Sequence, residues 1–187
     1  MILYLHGFRS SPASHKAQRL HARMTERGLG QFFVCPQLPV SPGAAVIMAQ
    51  QLIAAATTPV TLVGSSLGGY YATYLAERQG LRAALVNPAV VAHVSLGAYL
   101  GEQTNLYTGE TFQFTRGHIA ELQAMEVPRL AHPENFWLLQ ESGDELLDYR
   151  QAVSRYAGAR QTVIEGGDHS FTHWDDYLDE LIQYAGL

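Results

Sequence analysis

The residues Gly64, Ser65, Ser66, Leu67, Gly68 and Gly69 spell G-x-S-x-G directly after the apolar run Val60 to Val63 and directly before a helical pattern. In a strand, turn, helix context this spacing lifts a serine hydroxyl above a sheet edge, and glycines stand where a Cβ would collide. The turn also puts Ser66 at a helix N-terminus, where free backbone N–H groups favour developing negative charge. The chemistry suggested is nucleophilic attack on an acyl carbonyl. A dinucleotide fingerprint would need G-x-G-x-x-G and a phosphate loop G-x-x-x-x-G-K-[ST]; the chain has neither. The same letters suit a plain glycine-rich turn, so the remaining residues must decide.

A serine needs a base to take its proton, and the base needs an acid to fix its tautomer. In hydrolases built on this turn the order is serine, acid, histidine. Of the histidines after Ser66 (His93, His118, His132, His169 and His173), only His169 sits in a short loop, after Gly166, Gly167 and Asp168, between the last strand pattern and the last helix. Loops at the C-terminal edge of a parallel sheet are where its ligand sites form. A metal pair of His169 with His173 lacks a third ligand of matching spacing. Asp144, in Gly143-Asp144-Glu145 after the run Phe136 to Leu139, is the expected acid. Asp168 is the rival, although a neighbour in sequence can rarely turn its carboxylate onto Nδ1 of the histidine. Asp148 reads as a helix cap, and Glu141 as an early loop residue.

A tetrahedral intermediate also needs donors for its oxyanion, worth roughly 3 kcal/mol each in known cases. Leu67 supplies one N–H, and the loop after the first strand, Leu5-His6-Gly7-Phe8-Arg9, offers the N–H of Phe8 as the second. His6 can at the same time be a buried histidine bonded to backbone.

These residues need a scaffold, and the sequence supplies one. Apolar runs at Ile2 to Leu5, Phe32 to Cys35, Val60 to Val63, Ala83 to Val86, Phe136 to Leu139 and Thr162 to Ile164 alternate with helical patterns. Such alternation predicts βαβ units in one domain, 1–187, with a roughly six-stranded, mainly parallel sheet and helices on both faces. Ser11 and Pro12 read as the start of a first helix carrying Ala17, Leu20 and Met24 and stopped by Gly28. The charge-free helix Val46 to Ala56 is apolar all round, which predicts burial on two sides and suggests a homodimer surface. About fifty residues separate the fourth run from the fifth, far more than a crossover needs. We expect a small cap there, residues 92–127, with Tyr99, Tyr107, Phe112 and Phe114 and a helix at Ile119, Leu122 and Met125; a plain surface excursion is the alternative.

Composition narrows the partners. The 187 residues carry 12 Lys+Arg against 17 Asp+Glu, a net charge of −5, so the positive footprint of a nucleic-acid binder is missing. From Gly28 to Ala76 there is no charged residue or histidine, yet prolines and glutamines break every window that could span a membrane. No targeting segment is read at Met1, and a cytoplasmic location is expected. The one cysteine, Cys35, excludes an intramolecular disulfide and reads as a small buried hydrophobe. No metal or cofactor is expected.

Tyr4-Leu5-His6-Gly7-Phe8, Gly64 to Ala72, Asn87-Pro88-Ala89, Tyr107-Thr108-Gly109, Gly143-Asp144-Glu145 and Glu165 to His169 together closely resemble the YqiA-like esterase family of small bacterial α/β-hydrolases. The resemblance implies a compact α/β-hydrolase fold without the first strands of larger members. It also implies esterase or thioesterase activity, with the family's serine, acid and histidine falling on Ser66, Asp144 and His169. The expected substrate is a small acyl ester or thioester. A non-catalytic small-molecule-binding protein on the same fold, or an acyltransferase, would share much of this pattern.

Overall fold

Runs of β-branched and apolar residues too short for helices pair side by side in the computed structural model, which describes all 187 residues. The strands are β1 (Ile2–Leu5), β2 (Phe33–Val34), β3 (Thr61–Ser65), β4 (Arg82–Val86), β5 (Gly101–Thr104), β6 (Thr111–Phe114), β7 (Phe136–Glu141) and β8 (Arg160–Ile164). The helices are α1 (His15–Glu26), α2 (Pro42–Ala55), α3 (Leu67–Gln79), α4 (Ala92–Ser95), α5 (Arg116–Ala124), α6 (Tyr149–Arg155) and α7 (Leu178–Tyr184). Six strands form one parallel sheet in the order β2-β1-β3-β4-β7-β8. The chain passes from β1 to β2 on one side and then to β3 on the other. That reversal makes the C-terminal ends of β1 and β3 the natural place for a ligand crevice.

Alternation along the strands sorts the core into two layers. Leu3, Leu5, Leu62, Ala83, Leu85 and Leu138 face one side, where Val46 of α2, Leu75 of α3, Leu122 of α5 and Ala152 of α6 cover them. Ile2, Tyr4, Val63, Ala84, Val86 and Leu139 face the other, under Leu20 and Met24 of α1 and Leu178, Leu181 and Ile182 of α7. Two bidentate pairs, Arg19 to Asp175 and Arg23 to Asp179, tie α1 to the C-terminal segment. Exposed as they are, both pairs are screened by solvent and add little to stability.

Three local expectations need correction. The first helix starts at His15 with Ser14 as its N-cap, because the Ser11 hydroxyl instead closes a tight turn by accepting from the N–H of Ala13. Helix α2 buries only one side: Ala45, Val46 and Ala49 pack inward while Ala44, Ile47 and Gln51 face solvent, Ile47 at 56% exposure. The Glu121 carboxylate of α5 accepts from the Ser41 hydroxyl and the Gly43 N–H, anchoring the N-terminus of α2. Cys35 is only partly buried, packed against the second core layer, and burial pushes its thiol up to about 12.

The long excursion carries a hairpin that periodicity did not predict. β5 and β6 pair antiparallel apart from the main sheet, and α5 follows, capped by Thr115 and His118. The hairpin is fastened to the loop after β1: Arg9 Nε donates to the Thr104 carbonyl at 2.8 Å, Leu106 N–H to the Arg9 carbonyl at 2.9 Å, and Asn105 Nδ2 to the Ser10 carbonyl at 2.8 Å. Phe8 stands edge-on to Tyr99, Phe112 and Phe114, so the aromatics of the excursion enclose it.

Close packing of α3 against β1 leaves room for glycine only. A Cβ at position 68 would lie 1.8 Å from the Leu5 carbonyl oxygen, whereas one at position 97 meets nothing within 4 Å. Gly68→Ala is therefore expected to destabilise the fold by about 3 kcal/mol or more, and Gly97→Ala to change it by under about 0.5 kcal/mol. Urea unfolding of the two variants measures the difference.

Candidate active site

Ser66 occupies the turn between β3 and α3 with φ 54° and ψ −119°, a left-handed conformation that a serine adopts only when its surroundings impose it. They do so here through hydrogen bonds: the Ser66 N–H donates to the Val86 carbonyl at 3.0 Å, and the Ser66 carbonyl accepts from the N–H groups of Gly69 and Ala89. A Cβ at Gly64 would lie 2.3 Å from the Gly68 carbonyl oxygen, so strand and helix can approach this closely only at glycines. The hydroxyl is thus presented at the carboxyl edge of the sheet.

His169 Nε2 lies 3.0 Å from Ser66 Oγ, and His169 Nδ1 lies 2.8 Å from Asp144 Oδ2. Asp144 is buried at its side chain, and its other oxygen accepts from the N–H groups of Leu146 and Leu147 at 2.9 Å each. The three expected residues are therefore brought into one hydrogen-bonded line from loops after β3, β7 and β8. Asp168, the rival acid, turns away and accepts from the Ser170 N–H at 2.8 Å. Asp148 caps α6 through the Arg150 N–H.

The N–H groups of Phe8 and Leu67, expected as oxyanion donors, are both left free: neither donates to any acceptor in the protein. The ideal Cβ of Gly7 would sit 3.3 Å from Ser66 Cβ, which fixes how tightly the loop after β1 lies over the serine. Buried His6 pins that loop: its Nδ1 is 3.0 Å from the Gly7 carbonyl, and its Nε2 accepts from the Leu38 N–H at 3.1 Å. Burial lowers the His6 pKa, partly offset by the bond to Gly7, and the neutral imidazole suits one donated and one accepted bond.

Two residues essential to the geometry were not legible as such. Glu141 is the last residue of β7, not a loop residue, and it is fully buried. Its carboxylate accepts from the Asp168 N–H at 2.7 Å, the Thr172 hydroxyl at 3.0 Å, the His173 N–H at 3.0 Å and His173 Nδ1 at 2.7 Å. It thereby grips both ends of the segment that carries His169. Gly167, at φ 70°, is required by this approach, since a Cβ there would fall 1.9 Å from Glu141 Oε2. Asn87, buried at the end of β4, accepts from the Glu141 N–H and the Gln140 amide and donates to the Asp168 and His169 carbonyls. His173 thus faces Glu141 as His169 faces Asp144, so each imidazole has its own carboxylate, and no three His, Cys, Asp or Glu side chains gather as metal ligands.

A parallel sheet with a strained serine turn after β3, an acid after β7 and a histidine after β8 is the α/β-hydrolase fold. The chain belongs to the uncharacterised protein family UPF0227, the YqiA family, whose model matches residues 1–186. Among solved structures it is similar to alpha/beta hydrolase domain-containing protein 10 from mouse, with a TM-score of 0.74, 19% identity and coverage of 97% of this chain and 89% of that one. It is also similar to the esterase domain of a Rhodothermus marinus protein, with a TM-score of 0.71, 18% identity and coverage of 98% and 85%. The ydeN gene product of B. subtilis matches with a TM-score of 0.67, 15% identity and coverage of 100% and 98%. No helix is long and apolar enough to cross a membrane.

The Glu141 carboxyl has a testable signature. Burial pushes its pKa up, but the four donors, His173 foremost, outweigh burial and hold it at about 2 against an ordinary 4.5. A folded-state pKa below the unfolded one contributes stability above pH 4.5 that is lost as pH falls toward 2. The wild type should lose stability between those values by up to about 1.4 kcal/mol per pH unit from this group, and Glu141→Gln should show a flatter loss over the same window. Urea midpoints at several acid pH values test this.

Proposed function

We propose that the protein is a serine esterase or thioesterase that cleaves carboxylic esters or thioesters of short to medium acyl chains through an acyl-enzyme on Ser66. The observation that carries this reading is the continuous line from Ser66 Oγ through His169 to buried Asp144, ending beside two N–H groups with no other partner. A binding protein would have no use for that combination, whereas acyl transfer needs all of it.

In the proposed reaction His169 Nε2 accepts the Ser66 proton as Oγ adds to the acyl carbonyl. Asp144 keeps Nδ1 protonated and stabilises the imidazolium. The carbonyl oxygen becomes an oxyanion received by the N–H groups of Phe8 and Leu67. On collapse the leaving alcohol or thiol takes the proton from Nε2, and a water activated by the same nitrogen hydrolyses the acyl-enzyme. An apolar cavity of about 360 Å³ beside Ser66, walled by Leu96, Tyr99, Leu146 and Leu147, suits the acyl chain.

Hydrolysis of a short-chain 4-nitrophenyl ester, with an acyl-thioester panel alongside, tests the reading. Ser66→Ala should lower kcat by at least about a thousandfold while unfolding like the wild type. Loss of no activity in that variant, or no turnover by the wild type on any chain length, would sink the proposal. Asp144→Asn should slow acylation by about 10³-fold or more and Asp168→Asn by less than about tenfold. The opposite ranking would transfer the acid's role to Asp168.

A further inference from the structure

A second cavity, of about 460 Å³, opens from the same Ser66 and His169, shares Phe8, Arg9 and Leu106 with the first, and is the more polar of the two. Its wall includes Arg9, Ser10, Ser14 and Lys16, and no Asp or Glu lines it, although the chain carries a net charge of −5. Arg9 is anchored by its Nε to the Thr104 carbonyl, which leaves its two terminal NH2 groups without an acceptor. Lys16 Nζ donates once, to the Ser170 carbonyl at 2.7 Å, and forms no ion pair. The Ser14 hydroxyl is buried with no partner in the protein, and Ser14 is only 8% exposed. Burial pulls the Lys16 ammonium down to about 8 despite the pull of Asp168, Glu141 and Asp144. A desolvated cation without a paired carboxylate is costly, and a ligand anion placed beside it would offset that cost.

From these two cations facing one cavity that begins at the reacting serine, we propose that the site takes esters whose leaving group is anionic. The acyl chain fills the apolar cavity, and a carboxylate or phosphate on the departing alcohol or thiol is gripped by Arg9 and Lys16. Arg9 supplies a planar pair of donors and Lys16 a compact point charge, a combination suited to a small oxyanion. Ser10 and Ser14 line the same space. This inference rests on the esterase reading for its reaction, but its binding component can be measured without turnover.

The probes are 4-(butyryloxy)benzoate and its uncharged isostere 4-(butyryloxy)benzamide. Titrated calorimetrically into the Ser66→Ala protein, the benzoate should bind about tenfold or more tightly than the benzamide, as expected for a charge-assisted contact. Adding Arg9→Gln should remove most of that preference, and raising the salt concentration should weaken it. Lys16→Gln provides a second arm, read as the same ratio so that any effect through the Ser170 contact cancels. With the wild type, kcat/KM should favour the benzoate to a similar degree, through KM. Equal binding of the two probes, or a preference unchanged in both variants, would overturn the inference. Hydrolysis of both esters at equal rates would leave the esterase reading intact and remove this one. A binding preference without turnover of either ester would support the anion site while removing the esterase reading.

Discussion

The contact between Gly68 and the Leu5 carbonyl sets the spacing on which the whole site depends. With no Cβ at position 68, the first turn of α3 drops into the groove between the ends of β1 and β3. That single approach places three groups together: the Ser66 hydroxyl, the Leu67 N–H at the start of the helix and the Phe8 N–H in the loop leaving β1. A methyl group there would separate the Ser66 hydroxyl from the Phe8 N–H while leaving the Leu67 N–H in place. The glycines around Ser66 are therefore better understood as distance constraints than as sources of flexibility.

On the opposite side of the serine the constraint is electrostatic. Two buried carboxylates, Glu141 and Asp144, lie three positions apart at the end of β7 and divide the task of positioning one histidine. Asp144 bonds the imidazole itself, and Glu141 bonds the backbone and side chains on either side of it. Burying two carboxylates so close together is costly unless each is fully hydrogen-bonded, and both are. Asn87 completes the arrangement by fastening the ends of β4 and β7 to the carbonyls next to His169.

What the sequence revealed and what it hid follow from this division. The six strand runs, the serine turn, the acid and the histidine lie in local patterns: an alternating apolar run, glycines at fixed offsets, a short loop after a strand. The unpaired N–H groups of Phe8 and Leu67 were readable because backbone groups follow from topology alone. Glu141 was not, because a glutamate closing an apolar strand looks like the first polar residue of a loop; only the return of the segment 166–173 from β8 makes it a buried anchor. The β5–β6 hairpin was missed for a similar reason. Its strands are four residues each and half exposed, and they pair only with each other. Ser11-Pro12 mimics a helix start three residues ahead of the true one, because Ser11 is used in a tight turn before Ser14 takes the cap.

The hairpin also bears on how such a site could become selective without disturbing its chemistry. Arg9, at φ 56°, is the residue where the loop leaving Phe8 turns toward the excursion, and its backbone carbonyl and its side chain both bond the hairpin. The segment carrying the Phe8 N–H and the Arg9 guanidinium is therefore fastened to the end of β5 and the hairpin turn. A change in the excursion that shifts the hairpin therefore acts on the cavity wall at Arg9 and on the Phe8 N–H together. Asn105 limits this coupling: it bonds the Ser10 carbonyl on one side and the Tyr107 and Thr108 N–H groups on the other, fixing the hairpin turn to the loop. The apolar cavity shares Phe8, Arg9 and Leu106 with the more polar one and adds Leu96 and Tyr99 from the start of the excursion and Leu146 and Leu147 from the loop after β7. The two cavities thus differ in Leu96, Tyr99, Leu146 and Leu147 on one side and in Ser10, Ser14 and Lys16 on the other, so those walls can vary one without the other while the shared loop at Phe8 and Arg9 stays as it is.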